Sequence, residues 1–332
     1  MTLSDKDKAL QLCISAIEKA HGKGSIFTQA SEELDNQVDI IPTGSINLDR
    51  ATGIGGYPRG RIVEIFGSPS SGKSTLTLHA IAECQKLGGT AAYIDSEFSI
   101  ALDYADALGV QVDKLLISQP ATGEVALDIV EMLARSRVLD LVVVDSVAAL
   151  VPSVEVEGAM GDQQMGLHAR LMSKAMRKLA GVLYQSNTCL IMTNQNRQKI
   201  GAMAFTPQST QTGGNALPFY ASIRLDIART GTVESGSGEE KEKTANSTRV
   251  KVVKNKLAPP YREAEFEIEF GKGINKEKEL VQLAVDAGII TKAVAWYALD
   301  GKNIGQGMEA TLEFFKENIE IFDKIKLKIN EI

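Results

Sequence analysis

Gly67, Ser68, Pro69, Ser70, Ser71, Gly72, Lys73, Ser74 and Thr75 spell GSPSSGKST, a fit to G-x-x-x-x-G-K-[ST]. The run follows an apolar strand and opens a helical pattern, which is the context this motif needs. Gly67 and Gly72 let the backbone curl so that successive N–H groups face phosphate oxygens, at a helix N-terminus that favours negative charge. Lys73 then reaches the β- and γ-phosphates of a nucleotide, and the Ser74 hydroxyl is placed for Mg²⁺. Downstream, LVVVDS ends an apolar strand in Asp145. Beside a phosphate loop such an acid can hold the Mg²⁺ water shell; alone, it would cap the next turn. Glu97, in AYIDSEFS, follows another strand end. It either positions an attacking water, which makes a nucleotide hydrolase, or is a strand-end carboxylate without chemistry. Neither N-K pair, in KNKLA or in INKEK, carries the following Asp that reads guanine, so ATP with Mg²⁺ is the expected cofactor pair.

These groups need strands to carry them. Short apolar runs recur: GRIVEIFG, TAAYID, KLLISQ, LDLVVVDS, NTCLIMTN and ASIRLDI. Helical patterns separate several of them, such as Ala126, Ile129, Val130 and Leu133 at i, i+3, i+4 and i+7. Apolar strands alternating with helices predict an α/β fold, a mainly parallel sheet covered by helices. TRVKVVKN and EAEFEIEF differ. The second alternates Glu with Ala264, Phe266, Ile268 and Phe270, which predicts an antiparallel edge hairpin. Lys254 and Lys256, in VVKNKLAPP at the end of the first, have a cross-strand pairing with the glutamates of the second as their plain reading. Ahead of the hairpin, TVESGSGEEKEKTANST is rich in Gly, Ser and charge and is expected to be a mobile connection. Residues 1–33 are expected to form an N-terminal helix and linker, 34–270 the core, and 271–332 a small α/β C-terminal domain.

Composition narrows the class. The chain has 332 residues, net charge −6 and three scattered cysteines, with no disulfide or zinc spacing. His21, His79 and His168 form no metal-ligand pattern. No 18-residue apolar run occurs and MTLSDKDKAL lacks a signal-peptide core, so the expectation is a cytoplasmic protein with no membrane partner. Charge is unevenly spread: between Asp162 and Asp226 lie 63 residues without one Asp or Glu. That window holds Arg170, Lys174, Arg177, Lys178, Arg197, Lys199 and Arg224, as a surface for anions would. From Gly166 a helix is expected, with Leu167, Leu171, Ala175 and Leu179 buried and Arg170, Lys174 and Arg177 on one outer face as a phosphate rail. Residues 194–216, NQNRQKIGAMAFTPQSTQTGGNA, read as neither helix nor strand. Small, polar and glycine-rich, with Gly201, Gly213 and Gly214, this stretch is expected to order on nucleic acid.

The blocks TGSINLD, GGYPRGRIVEIFGSPSSGKSTLTL, YIDSE, LVVVDSVAALVP, GDQQMGLHARLMSKAMRKL, TGGNALPFYASIRLDI, TRVKVVKNK and AWYALDGKNIGQG together resemble the RecA family of bacterial DNA recombinases, in order and spacing over almost the whole chain. The resemblance implies an ATP-dependent helical filament of the chain with itself on single-stranded DNA. Such a filament searches for homology in double-stranded DNA, exchanges strands and can stimulate a self-cleaving repressor. It assigns Gly67 to Thr75 to phosphates, Ser74 and Asp145 to Mg²⁺, Glu97 to the attacking water, and Tyr104 to stacking on adenine. Gln195 would sense the γ-phosphate and order the loop that follows. The segments 157–165 and 195–211 would be DNA-binding loops, Met165 and Ile200 wedging between bases. Arg170, Arg177, Arg197 and Lys199 would contact phosphates, with Gly213 and Gly214 at the end of the second loop. Lys254 and Lys256 would reach the γ-phosphate held by a neighbouring subunit.

Some positions depart from the family pattern. Ala101 stands where an acid near adenine is usual, Pro218 where an interface lysine is common, and KIKLKINEI ends the chain without an acidic tail. Two rival readings share the fold: a ring helicase motor, and a filament in which ATP serves only assembly.

Overall fold

A computed structural model describes residues 5–22, 25–26, 38–159, 166–198, 209–235 and 241–330. The chain divides into two units, residues 1–38 and 39–332. The first holds helix α1 (Asp5–His21). The second opens with the antiparallel pair β1 (Ile40–Ile41) and β2 (Tyr57–Pro58), with α2 (Ile46–Thr52) between them in sequence. Alternation follows: β3 (Ile62–Gly67), α3 (Lys73–Lys86), β4 (Ala91–Asp95), α4 (Leu102–Ala107), β5 (Leu116–Ser118), α5 (Gly123–Arg135) and β6 (Leu141–Asp145). Next come α6 (Ser153–Glu157), α7 (Leu167–Ser186), β7 (Cys189–Gln198), β8 (Ser209–Gln211) and α8 (Ala216–Tyr220). The sheet ends with β9 (Ile223–Ser235), β10 (Glu242–Asn255), β11 (Glu263–Glu269) and β12 (Gly273–Ile274). A C-terminal group follows: α9 (Lys276–Asp286), β13 (Ile290–Ala293), β14 (Trp296–Leu299), β15 (Lys302–Gln306), α10 (Gly307–Glu317) and α11 (Ile319–Asn330).

The main sheet runs β12-β11-β10-β9-β3-β7-β6-β4-β5, parallel from β9 to β5 and antiparallel from β9 to β12. Strand period two sends alternate residues to opposite helical layers. Val63, Ile65, Ala91, Tyr93, Leu141, Val143 and Ile191 pack with α3 in one cluster. Ile62, Ala92, Ile94, Val142, Val144, Leu190 and Met192 pack with α5 and α7 in another. Helix starts follow local chemistry: the Thr122 hydroxyl accepts from Val125 N and Asn275 Oδ1 from Lys278 N, satisfying first-turn donors. The C-terminal group has its own core, including Leu280, Ile290, Tyr297 and Phe315. It is tied to the main sheet through buried Glu279. That carboxylate accepts from the Ser45 hydroxyl at 2.5 Å, Ile46 N at 2.9 Å and Asn47 N at 3.1 Å, at the start of α2.

Several expectations need correction. Residues 194–198 are strand: β7 continues past the apolar run because β8 pairs back on it, Asn196 to Gln211 and Gln198 to Ser209. The presumed mobile connection is mostly ladder, since Thr232 to Ser235 and Glu242 to Thr248 belong to β9 and β10, with 236–240 outside the described residues. A long paired ribbon satisfies its backbone whatever its composition. On α7 the buried stripe is Met172, Ala175, Met176, Leu179 and Leu183, with Leu167 and Leu171 only half-buried. The acid-free window is also partly answered from other elements. Glu131 of α5 pairs with Lys178, and buried Glu64 of β3 pairs with Arg224.

Candidate active site and the loops beside it

β3 ends at Gly67, squeezed against β9: a Cβ there would lie 2.1 Å from the Ile227 carbonyl oxygen. The loop turns back through Gly72 at φ 103, a left-handed angle that suits glycine, and α3 begins at Lys73. Lys73 Nζ rests on the Ser68 and Gly67 carbonyls at 2.8 and 3.3 Å, and burial pulls its pKa down against the pull of Asp145 and Glu97. The Ser71 hydroxyl is buried in the loop without a hydrogen-bond partner among the described residues. A cleft of about 510 Å³ opens over the loop, lined also by Glu97, Tyr104, Asp145, Gln195, Thr248 and Phe270. Among the described lining residues Lys73 is the one cation.

Asp145 sits at the carboxyl end of β6, facing Ser74. The Ser74 hydroxyl donates to Asp145 Oδ2 at 2.7 Å, Tyr93 OH donates to the same oxygen at 2.6 Å, and Thr193 Oγ1 donates to Oδ1 at 2.5 Å. Burial, reinforced by Asp145, pushes the Tyr93 phenol well above its ordinary pKa, so it stays a donor. Ser74 and Asp145 are hard oxygen donors beside a phosphate-sized curl of backbone, a set that fits Mg²⁺. Glu97 follows β4, where buried Asp95 ties down its loop by accepting from Ser99 N and Ile100 N, both at 3.1 Å. Glu97 Oε1 accepts from Ser146 Oγ at 2.5 Å and from Gln195 Nε2 at 3.2 Å. Tyr104 flanks the cleft, its hydroxyl 3.1 Å from Thr75 Oγ1.

The structure thus brings together Gly67 to Thr75, Glu97, Tyr104, Asp145 and Gln195. Met165, Lys199 and Ile200 lie outside the described residues, and of Arg197 only the strand backbone is described. Arg170, Lys174 and Arg177 are exposed along α7, although Lys174 borders a groove carrying Glu124, Asp128 and Glu131 of α5. Gly213 and Gly214, both at positive φ, dock the turn after β8 on α7: Cβ atoms there would meet Met172 and Ala169 at 3.2 and 3.1 Å. The expected pairing of Lys254 and Lys256 with the β11 glutamates is not formed. Glu263 pairs with Lys251 and Arg249, and Glu267 with Lys278. Lys254 Nζ instead donates to the Pro218 and Phe219 carbonyls at 2.6 and 2.8 Å, and Lys256 Nζ to those of Phe219 and Tyr220 at 3.2 and 3.4 Å. Both ammonium groups therefore sit on the last carbonyls of α8. Lys254 pairs with Arg224 and so with the Glu64 level of β3, three rows from Gly67, which is roughly 10 Å along the strand.

Sequence reasoning missed Tyr93, Thr193, Ser146 and the bridge from Asn194 Nδ2 to Glu64 Oε1 at 3.0 Å. The available signal was a polar residue interrupting an apolar strand, as Tyr93 does in AAYID and Thr193 in LIMTN.

A phosphate loop, a strand-end acid facing it and an exposed carboxylate at the next strand end, on a largely parallel sheet, are the frame of a P-loop nucleotide hydrolase. Comparison with known proteins narrows the class. The sequence model of the RecA N-terminal domain matches residues 8–275, and that of the RecA C-terminal domain residues 278–332. The Protein RecA of Gluconacetobacter polyoxogenes is 55% identical over 327 residues, covering 98% of this chain and 92% of that protein. That of Acidiphilium cryptum is 54% identical over 325 residues, covering 98% and 93%. That of Saccharopolyspora erythraea is 52% identical over 327 residues, also covering 98% and 93%. The chain belongs to the RecA family, recombinases of DNA recombination and repair with DNA-dependent ATPase activity.

Proposed function

We propose that this chain binds ATP with Mg²⁺ in the 510 Å³ cleft and, so loaded, polymerises on single-stranded DNA to pair it with homologous duplex. The phosphates rest on Gly67 to Thr75 with Lys73 at the β/γ end, Tyr104 stacks on the base, and Ser74 and Asp145 face the cation, which supplies charge neutralisation at the phosphates. Glu97, steadied by Ser146, orients the water that attacks the γ-phosphate. The observation that carries the coupling to DNA is the 3.2 Å contact of Gln195 with Glu97, because Gln195 lies on β7, the strand that leads into residues 199–208, which lie outside the described residues. A γ-phosphate arriving beside Glu97 competes for the Gln195 amide and so bears on the strand end that leads into this segment; nucleic acid bound by the segment bears in turn on the water-positioning acid. The return strand β8 runs through Gly213 and Gly214 into α8, whose end carbonyls hold Lys254 and Lys256. Their distance along the sheet from this chain's own phosphate loop supports a role at a neighbour's γ-phosphate, completing the site in trans. The test is ATP hydrolysis with and without single-stranded DNA, alongside electron microscopy. Stimulated hydrolysis on open helical filaments is expected; closed rings, or hydrolysis indifferent to DNA, would overturn the reading.

A further inference from the structure

Tyr93 and Thr193 each place a hydroxyl inside the sheet's apolar layer, 2% and 0% exposed. A buried hydroxyl is costly unless hydrogen-bonded, and Phe and Val would fill nearly the same volumes with no polar atom. Packing alone therefore does not call for them. Strand period two explains where they point: Tyr93 on β4, Asp145 on β6 and Thr193 on β7 share one face, at the carboxyl ends of three adjacent parallel strands. Both spend their donor on the same carboxylate, one on each oxygen, and Ser74 supplies a third donor. Asp145 is consequently held from the β4 side, the β7 side and the phosphate loop at once.

We infer that Tyr93 and Thr193 are positioning residues for Asp145, fixing its carboxylate in one orientation so that it serves the divalent cation of the bound nucleotide. With a donor on each oxygen the acid is already engaged, and it acts on the cation's water shell instead of swinging onto the ion. Mg²⁺, which gives up its waters reluctantly, suits such an arrangement. The inference rests on the proposed roles of Ser74 and Asp145.

The experiment titrates Mg²⁺ against a fluorescent ATP analogue bound to the full-length protein without DNA, so that no turnover is needed. Tyr93→Phe and Thr193→Val are each expected to raise the half-saturating Mg²⁺ concentration by about 10-fold, as loss of groups supporting a metal site does. Binding of the analogue without Mg²⁺ should stay unchanged, and Thr193→Ser should restore the wild-type titration. Thermal melting accompanies each variant. A lowered melting temperature with an unchanged Mg²⁺ titration would assign the hydroxyls to packing and overturn the inference alone. A wild-type protein whose affinity ignores Mg²⁺ would overturn the underlying roles of Ser74 and Asp145 as well. If Thr193→Val gives no soluble protein, Tyr93→Phe, which removes a single atom, decides.

Discussion

Glu97 is one carboxylate shared by two donors, Ser146 on one side and Gln195 on the other, and that sharing sets its expected mutant behaviour. Glu97→Gln keeps an acceptor for Ser146 but removes the carboxylate proposed to orient the water, so DNA-stimulated hydrolysis should fall ~10²–10⁴-fold while nucleotide affinity is retained. A steady-state assay paired with nucleotide titration checks both halves. Lys254 carries a pH signature. Burial against α8, with repulsion from Lys256 and Arg224, brings its pKa down to about 8. As pH rises through 8 the ammonium loses its charge, so a hydrolysis that needs this cation should decline there. Lys254→Arg should move the alkaline limb upward, because a guanidinium stays charged. Stability runs the other way: the folded state disfavours the charged lysine below about 8, and that penalty fades as pH climbs toward the unfolded lysine's ~10.4. Residue chemistry of this kind was partly legible in the sequence. GSPSSGKST announces itself because a phosphate loop is built from consecutive residues. The clamp of Tyr93 and Thr193 on Asp145 does not, since its parts come from three strands about 50 residues apart in sequence.

Among the elements, α7 divides into an edge facing the acids of α5 and an exposed edge. Lys178 is tied to Glu131, and Lys174 borders the same acidic helix, while Arg170 and Arg177 stand exposed. Replacing Arg170 and Arg177 with Ala should lower the log–log salt slope of single-stranded DNA binding by roughly 0.7 for each phosphate no longer neutralised, with Lys174→Ala doing less. Fluorescence anisotropy across a salt series measures this, and an unchanged slope would remove α7 from the interface. The join between α2 and α9 gives a stability counterpart. Glu279→Ala strips three donors of their acceptor, each at a cost of about 1–3 kcal/mol if left buried and unpaired. Urea unfolding should show a lower midpoint, with the transition of the C-terminal group separating from that of the main sheet. Strands with an apolar run were readable from pattern alone. The polar ends of β7, β9 and β10 were not, because their strand state comes from a partner ladder rather than from any preference of Asn, Gln, Lys or Thr.

In the whole molecule, the nucleotide cleft has one cation of its own among the described residues, and two more lysines wait at the far end of the same sheet. Family membership was legible from blocks spread along the chain. The position of Lys254 and Lys256 on the α8 carbonyls was not, since the alternation of EAEFEIEF offered them nearer partners. A site completed by a neighbour couples hydrolysis to assembly, because a cation supplied in trans to the γ-phosphate can raise the rate by ~10³–10⁵-fold. Mixing subunits tests this most directly. Lys254→Ala/Lys256→Ala protein should bind ATP yet fail in DNA-stimulated hydrolysis, and Lys73→Ala protein should fail alone as well. Blended on single-stranded DNA, the two should recover a fraction of wild-type turnover, since each mutant keeps the half-site the other lacks. Normal hydrolysis by the Lys254→Ala/Lys256→Ala protein by itself would contradict a cleft shared between subunits.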